Sequence, residues 1–220
     1  MRNLSVSKIT LLFGSGNPAK LQTMRKSVEG LDIELVGLGD MAKSAPDVDE
    51  SGSSPLDNAR IKALTYFRHY GIPTVSHDCG LYFENPDFPT ELQPGVNVRR
   101  VNGRSLSDDE MTEYYSGLAK KYGKLTAHYK NALCLVLSED VILESMDKSL
   151  WSEPFCIVDT PHSGRRHEGY PLDCISVSAK TGRYYYDAPK ESFGGEFDGR
   201  RAFFERNMDF IKEKCYERSV

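Results

Sequence analysis

Two acidic residues are placed in the sequence where they could hold a divalent metal ion. Asp78 follows residues 72–76, which are predicted to form a buried strand, and Glu50 lies in a polar loop before the helix predicted to begin at Ser54-Pro55. Ligand crevices in α/β proteins form at the ends of such strands. Because Mg²⁺ takes few protein oxygens and fills its shell with water and phosphate, Glu50 and Asp78 are predicted ligands of Mg²⁺, or of Mn²⁺ in its place. The alternative for Asp78 is an ordinary turn residue.

Residues 15–20, with the sequence Ser-Gly-Asn-Pro-Ala-Lys, lie between a predicted strand and a predicted helix. Backbone N–H groups at a helix N-terminus, together with the helix dipole, favour an anion. Lys20 falls in the first helical turn, where a cation opposes the dipole, so its position makes more sense if a phosphate lies nearby. The segment does not fit a Walker A loop. An ordinary capped turn with an exposed lysine is the alternative, and the local residues alone slightly favour it.

Asn58 and Lys62 lie four positions apart on the second predicted helix, so they share one helix face. That face lies away from the apolar stripe of Leu56, Ala59 and Ala63. Taken alone, the pattern is typical of a solvated charged face.

Two further features carry polar groups of possible chemical use. Arg99 and Arg100 are adjacent at the end of residues 94–100, a loop segment without other charges, where they could clamp a phosphate or carboxylate or could be solvated surface residues. His77, next to Asp78, could act as a base, although a structural histidine is the default reading.

Strands and helices alternate in the first part of the sequence, and antiparallel strands are predicted after it. This order predicts an α/β protein with a mixed sheet flanked by helices. The last helix is predicted to turn Ala202, Phe203, Phe210 and Ile211 inward. The predicted elements are a strand at 9–13, a helix from Asn17-Pro18 to Gly30, a strand at 33–38, a helix from Ser54-Pro55 to Gly71, a strand at 72–76, a long loop at 85–103, a helix at 107–122, a hairpin of 126–137 and 141–144, strands near 155–158 and 174–178, and a helix at 200–213.

The composition is that of an ordinary soluble protein. The 220 residues are 39% apolar and 27% charged, enough for one large α/β domain or two joined lobes. The net charge of −4, without a basic block, argues against a nucleic-acid polymer as partner. No stretch has the length of a membrane span, and no signal peptide is expected. The five scattered cysteines are expected to be reduced thiols, which predicts a cytoplasmic protein.

Taken in order, four segments resemble the inosine triphosphate pyrophosphatase family, whose members act on unusual purine nucleotides. Residues 15–20 match the family pattern T/S-x-N-x-x-K, and residues 50–63 match E-x-G-x-[ST]-F-x-E-N-A-x-x-K-A. Residues 76–81 match A-D-D-S-G-L, and residues 94–103 match P-G-[VI]-Y-S-A-R-[YF]-x-G, which places Arg100 on the family arginine. The resemblance implies a single domain over residues 1–220, with an elongated two-lobed fold, a long curved mixed sheet, and an active-site cleft between the lobes.

The resemblance also implies a reaction, in which a nucleoside triphosphate is hydrolysed to the monophosphate and pyrophosphate with Mg²⁺. Water attacks the α-phosphorus while Mg²⁺ offsets the developing charge, and Asp78, helped by Asp57, is the candidate base. The implied catalytic residues are Asp78, Lys20, Lys62 and Asp57, the implied metal ligands are Glu50 and Asp78, and the implied substrate-binding residues are Ser15, Gly16, Asn17, Lys20, Asn58, Cys79, Arg99, Arg100, Tyr170, Asp173 and Arg200. The resemblance further implies a homodimer.

The sequence departs from the family pattern at two places. His77 replaces the first acidic residue of the third motif, which predicts an altered metal affinity or pH optimum. In the second half, residues 168–173 only partly match F-G-[YW]-D-P, and residues 197–199 stand where Ser-His-Arg is expected, with Arg200 and Arg201 directly after. Since these family residues hold the base, the base preference is open. Two alternatives therefore remain, a nucleotide-binding protein without catalysis and a related hydrolase with another nucleotide substrate.

Overall fold

The computed structural model describes residues 8–164, 170–187 and 195–217, and for residues 195–198 it describes the backbone alone. Its main sheet is mixed and has seven strands in the order β2-β1-β3-β6-β8-β9, with β7 paired to β6. The α/β fold with helices flanking a mixed sheet is as predicted. The elements are β1 (Ile9–Phe13), α1 (Pro18–Ser27), β2 (Ile33–Gly37), α2 (Pro55–Tyr70), β3 (Thr74–Phe83), β4 (Arg100–Val101), β5 (Arg104–Ser105), α3 (Asp108–Tyr122), β6 (Leu125–Ser138), β7 (Val141–Ser145), β8 (Phe155–Ile157), β9 (Ser176–Ser178) and α4 (Gly195–Glu217).

The chain divides into two compact units. Unit 1 comprises Met1–Asp78, Ala132–Leu150 and Phe197–Val220, and unit 2 comprises Cys79–Asn131 and Trp151–Glu196. In unit 1, β1 pairs in parallel with both β2 and β3, and β6 forms the predicted hairpin with β7. In unit 2, β6 pairs antiparallel with β8, and β8 with β9.

Each unit has its own hydrophobic core. The core of unit 1 includes side chains from β1, β3, β6 and α4, among them Leu11, Phe13, Val75, Leu135, Phe203 and Phe204. The core of unit 2 includes side chains from β3, α3, β6 and β8, among them Leu81, Phe83, Tyr115, Leu125 and Phe155. Burial of this apolar surface is the main force that stabilises either unit.

The three helix starts that the sequence predicts from capping residues are confirmed. Asn17 caps α1, with Pro18 at the first helical position. Ser54 and Ser107 each form a capping box, at the start of α2 and α3 respectively. Gly71 ends α2 in the left-handed conformation, with a φ of 70° that glycine adopts without strain.

Two local predictions are wrong. Strand β3 extends to Phe83 rather than ending at residue 76, so His77 and Asp78 lie within the strand and not beyond it. On α4, Phe210 is 39% exposed and Ala202 is also exposed, whereas Phe204 is fully buried beside Phe203 and Ile211. The helix packs through Phe203, Phe204 and Ile211, and Phe210, which a 3.6-residue period places on the Phe203 side of this face, lies at its exposed edge. In the part of the chain that the structure describes, no helix is both long enough and apolar enough to span a bilayer.

Candidate active site

The centre of the candidate site is a lysine bonded to two carboxylates, all within unit 1. The Lys62 ammonium donates to Asp78 Oδ1 at 2.6 Å and to Glu50 Oε2 at 3.1 Å. Lys62 and Asp78 are each 7% exposed, while Glu50 is half-buried. The structure therefore brings together the three charged residues for which the sequence predicts chemistry at the metal and the phosphates.

The electrostatics of Lys62 reflect opposing effects. Burial of the ammonium lowers the pKa of Lys62, and the carboxylates of Asp78 and Glu50 raise it by more, so that the net shift is upward. Lys62 is therefore charged at neutral pH and forms a true ion pair with both acids. Removing one partner of such a buried pair leaves a charge without compensation, which is costly.

The solvated-face alternative for α2 is wrong. Asn58 is 3% exposed, and together with Lys62 it lies on the buried side of the helix with Ala59 and Ala63. These polar groups can be buried because each has a hydrogen-bond partner. The Lys62 ammonium donates to the two carboxylates, and the Asn58 amide oxygen accepts from a backbone N–H. The charge pattern alone does not reveal this, since the partners come from other segments of the chain.

Asn58 fixes the loop that carries Glu50. Its Oδ1 accepts from the backbone N–H of Gly52 at 2.8 Å, two residues after Glu50. A Cβ at Gly52 would lie 2.6 Å from Asn58 Oδ1 and 2.9 Å from the backbone nitrogen of Asn58. Only glycine fits this close approach to the start of α2, which explains the glycine of the second motif.

Substitution of Asn58 by alanine is expected to lower the free energy of unfolding by about 1–3 kcal/mol, because the Gly52 N–H loses its acceptor in a partly buried position. Chemical denaturation measures the change. Ser51→Ala, at an exposed position of the same loop, is the matched control and should stay within about 0.5 kcal/mol of the wild type. Equal effects of the two substitutions would contradict the role of Asn58.

The loop after β1 lies at the same edge of the sheet as Asp78. Parallel pairing of Phe13 with Val75 brings Gly14 against Ser76, whose hydroxyl donates to the Gly14 carbonyl at 3.3 Å. A Cβ on Gly14 would overlap this hydroxyl, so the third position before Asn17 requires glycine. The first and third sequence motifs therefore meet where β1 ends beside the first half of β3, and ligands of open α/β sheets bind at the carboxyl ends of strands such as β1.

Asn17 and Lys20 lie in this loop and in the turn that follows. Asn17 Oδ1 accepts from the backbone N–H groups of Ala19 at 2.9 Å and Lys20 at 3.2 Å, so these two donors serve the cap. Ser15 Oγ accepts from the Asn17 N–H at 3.3 Å, and Gly16 is exposed with open space where a Cβ would stand. The first turn of α1 contains no acidic residue, which leaves the positive end of the helix dipole uncompensated.

Asp57 lies in the capping box of α2. Its carboxylate accepts from the Ser53 hydroxyl at 2.9 Å and from the Ser54 N–H at 3.0 Å. These hydrogen bonds, that from Ser53 foremost, hold the pKa of Asp57 below its ordinary value. The observed contacts of Asp57 are those of a residue that begins a helix.

His77 and Cys79 flank Asp78 in β3. Successive side chains of a strand point to opposite faces, so His77 and Cys79 face away from the side on which Asp78 meets Lys62. His77 is buried and Cys79 is half-buried. His77 does not stand in for a second acid on the face of Asp78.

The predicted arginine loop belongs to unit 2 and is tied to neighbouring elements. Leu81 donates its N–H to the Gly95 carbonyl at 2.9 Å, and a Cβ on Gly80 would lie 2.8 Å from that same oxygen. The Arg99 guanidinium donates to Asp108 Oδ1 at 2.6 Å and to the Leu106 carbonyl at 2.9 Å, so it anchors the loop to the start of α3. The Arg100 side chain, on β4, is exposed.

The residues proposed from the second half of the chain fall in three places. Tyr170 is half-buried, and Asp173 begins a short 3₁₀ turn, Asp173–Ile175, in unit 2. Arg200 lies on α4 in unit 1 and is 5% exposed. Arg201 donates to Glu205 at 2.7 Å and to the Glu29 carbonyl at 2.7 Å. Residues 168 and 169 of the altered motif, and the side chains of residues 197 and 198, lie outside the described part of the structure.

The donor set of Glu50 and Asp78 fits a hard divalent cation. The two carboxylates already converge on one positive charge, the Lys62 ammonium. Across the described residues, no group of three or more His, Cys, Asp or Glu side chains could hold a metal. Two carboxylates suit Mg²⁺, which keeps several waters and shares phosphate oxygens, better than they suit a closed four-ligand zinc site.

A model of the Ham1 family matches residues 11–168, a span that contains all four motifs. The chain belongs to the Ham1 family. The resemblance inferred from the motifs is thereby confirmed. The match ends before Tyr170, Asp173 and Arg200, where this Ham1 chain departs from the family pattern.

Two curated relatives and one solved structure illustrate the likeness. The dITP/XTP pyrophosphatase of Anaeromyxobacter sp. is 41% identical over 71 residues, which cover 32% of this chain and 31% of the relative. The dITP/XTP pyrophosphatase of Methylococcus capsulatus is 32% identical over 100 residues, covering 46% of this chain and 47% of the relative. These alignments span less than half of each relative's length.

A HAM1 protein from Coxiella burnetii has the same fold, with a TM-score of 0.70 at 19% identity. The alignment covers 91% of this chain and 99% of the Coxiella chain. At that identity the likeness establishes the fold of this Ham1 chain and leaves its chemistry to be argued from the site itself.

Three positions that support the site are not among the site residues predicted from the sequence. Gly14, Gly52 and Ser76 hold the loops of the motifs against each other. The glycines carry a usable signal, since a glycine beside a polar motif indicates a close backbone approach. Ser76 carries none, because its partner is a backbone carbonyl distant in sequence.

Proposed function

We propose that this Ham1 chain hydrolyses nucleoside triphosphates to the monophosphate and pyrophosphate. The reaction is attack of water on the α-phosphorus with Mg²⁺ as cofactor, for which Mn²⁺ can substitute. The observation that carries the proposal is the convergence of Glu50, Lys62 and Asp78 at the strand edge where the Asn17 loop also lies.

The residues of unit 1 have three roles, in binding the metal, in binding the phosphates and in activating the water. Glu50 and Asp78 would hold the metal, which would supply neutralisation of charge on the phosphates and a lower pKa of the attacking water. Lys20 and the Asn17 amide donate to phosphate oxygens beside the positive end of α1, with the backbone of Ser15 and Gly16 lining the approach. Asp78 orients the water and accepts its proton.

The remaining residues position the loops of the site or bind the substrate. Asn58 fixes the loop that carries Glu50, and Asp57 fixes the start of α2. In unit 2, the family motif supports the exposed Arg100 as a substrate-binding residue, and Arg99 holds the Arg100 loop. The family resemblance supports Cys79, Tyr170 and Asp173 in unit 2, and Arg200 in unit 1, as further substrate-binding residues, although Cys79 lies on the face of β3 opposite to Asp78.

The substrates proposed are purine nucleotides with an unusual base, inosine and xanthosine triphosphates and their deoxy forms. The names of the relatives support this choice, as does the order of the four motifs. The altered second half makes the base preference the point that most needs measurement, because a pocket selects against analogues that leave its polar groups unpaired.

The first experiment measures pyrophosphate release with Mg²⁺ from ITP, XTP, dITP, the four standard NTPs and modified pyrimidine triphosphates. Release from ITP and XTP well above that from ATP and GTP supports the full proposal. Release confined to other triphosphates keeps the reaction and replaces the substrate. Triphosphate binding without any release contradicts hydrolysis and favours a nucleotide-binding protein, a reading that His77 in place of an acid also motivates.

Removal of divalent metal is expected to abolish pyrophosphate release, because two carboxylates alone add negative charge next to the phosphates. Excess EDTA should reduce the rate at least about 10³-fold, and added Mg²⁺ should restore it. Thermal unfolding in EDTA checks that the fold persists. A full rate in EDTA would show that Glu50 and Asp78 serve another purpose.

We also propose that the protein acts in the cytoplasm as a homodimer, with a small-molecule nucleotide as its ligand and neither a nucleic-acid polymer nor a membrane as partner. The family resemblance supports the dimer, and the acidic net charge of −4 supports the small-molecule ligand. Light scattering coupled to gel filtration measures the oligomeric state.

A further inference from the structure

The two carboxylates proposed to hold the metal are already paired with a cationic residue of the chain itself, Lys62. Lys62 donates to one oxygen of Asp78 and one oxygen of Glu50, and the ammonium is buried. Metal binding at these carboxylates therefore competes with an existing interaction. This competition presupposes the proposed metal-dependent reaction.

A divalent cation on Glu50 and Asp78 would stand within a few ångströms of the Lys62 charge. Like charges at that separation repel strongly where little water screens them. A cation on either carboxylate would also weaken the attraction of that carboxylate for the ammonium, because both positive charges draw on the same negative charge. If the ammonium leaves the carboxylates, it requires other acceptors, since a buried ammonium without partners is costly. The described surroundings of Lys62 supply no third carboxylate in contact with it.

A triphosphate would supply those acceptors. The Asn17 loop, Lys20 and the N-terminus of α1 favour an anion at the same strand edge. Phosphate oxygens placed there could receive the Lys62 ammonium, which has three donors on a flexible stem. Transfer of the ammonium from carboxylate to phosphate would free Glu50 and Asp78 for the metal.

We propose that Lys62 is a positioning residue that couples metal binding to nucleotide binding. Without nucleotide, Lys62 keeps Glu50 and Asp78 paired and opposes the entry of a free divalent ion. With nucleotide, Lys62 moves to the phosphates, and the metal binds mainly together with its triphosphate. By linkage, the metal strengthens nucleotide binding through Lys62 by the same factor.

The test measures Mn²⁺ affinity by electron paramagnetic resonance, first in the absence of nucleotide. Lys62→Met is expected to bind free Mn²⁺ about tenfold more tightly than the wild type, because the opposing charge is gone. Arg68→Met is the matched control. Arg68 lies on the same helix as Lys62, and its substitution removes one positive charge from an exposed ion pair with Glu139, which follows β6. Its Mn²⁺ affinity should stay within about twofold of the wild type.

The second measurement repeats the titration with the protein saturated by α,β-methylene inosine triphosphate. The nucleotide should tighten Mn²⁺ binding in every variant, because metal and phosphate contact each other directly. The gain should be about tenfold smaller in Lys62→Met than in the wild type. Lys62→Arg, which keeps the charge, is the second variant and should retain weak binding of free Mn²⁺ even if Lys62→Met folds poorly.

The outcomes separate the two proposals. Unchanged or weaker binding of free Mn²⁺ by folded Lys62→Met, with pyrophosphate release intact in the wild type, overturns the coupling role and leaves the proposed function standing. Tighter binding of free Mn²⁺ by Lys62→Arg also overturns it, since the charge is preserved. Failure of the wild type both to bind Mn²⁺ and to release pyrophosphate overturns the proposed function, and the coupling role with it.

Discussion

Asp78→Asn is expected to lower the rate of pyrophosphate release at least about 10³-fold while the protein stays folded. Two functions are lost together, because the amide neither accepts the proton of the attacking water nor binds a hard cation as a carboxylate does. General-base catalysis alone is worth about 10²–10⁴-fold. The variant still offers Lys62 an oxygen acceptor of nearly the same shape, and Glu50 remains bonded to the ammonium.

The measurement is steady-state pyrophosphate release from the best substrate of the panel, alongside circular dichroism and thermal unfolding. Asp140→Asn, in the exposed turn between β6 and β7, is the matched control and should keep the wild-type rate. Retained activity in folded Asp78→Asn would exclude Asp78 as base and as metal ligand, and with it the proposed mechanism. Unfolding of the variant would be informative only of stability, and Glu50→Gln then tests the metal site from its more exposed side.

The local signals of the sequence predict most of the first half of the fold. Strand β1 has the predicted bounds, and α1 and α2 begin at the predicted Asn17 and Ser54 caps. These starts are predictable because a cap and its helix are neighbours in sequence, so the residues that decide the structure stand together. The extent of β3 was not predictable in the same way. It continues past Ser76 because polar residues are paired there by distant segments.

In the candidate site, too, the features decided by neighbouring residues were predictable and those decided by distant segments were not. The residue types at Glu50, Lys62 and Asp78 were identified from the sequence, and the structure adds that they converge and that Lys62 is buried. Burial of a charge depends on partners from other segments, here a loop and a strand, which hydrophobic periodicity does not register. The prediction of the buried face of α4 was partly wrong for a related reason. Phe204 and Phe210 are equally apolar, and only the packing of the helix decides which is covered.

The start of the described part of α4 depends on a glycine whose replacement should have the second large effect. A Cβ on Gly199 would overlap the backbone carbonyl oxygen of Ser149 and lie 3.1 Å from the backbone nitrogen of Leu150. Backbone atoms cannot rotate away as a flexible side chain can, so either α4 or the Ser149 segment must shift. Gly199→Ala is therefore expected to lower the free energy of unfolding by about 3 kcal/mol, at the upper end for overpacked sites.

Helix propensity predicts the opposite sign, which makes the experiment decisive. Alanine is favoured over glycine in a helix interior by about 1 kcal/mol. Gly117, inside α3, has no atom within 4 Å of an added Cβ, so Gly117→Ala should raise the free energy of unfolding by up to about 1 kcal/mol. Urea denaturation of the two variants compares helical glycines that differ in their surroundings. A stabilised Gly199→Ala would show that α4 does not approach Ser149 as described.

The same substitution bears on the base pocket. Arg200, next to Gly199, is buried and is proposed to contact the base, so a shift of α4 should disturb base selection before it disturbs the chemistry at Asp78. In folded Gly199→Ala, the preference among triphosphates should weaken while pyrophosphate is still released from the best substrate. An unaltered preference in a destabilised variant would remove Arg200 from the base pocket and leave Tyr170 and Asp173 as its proposed contacts.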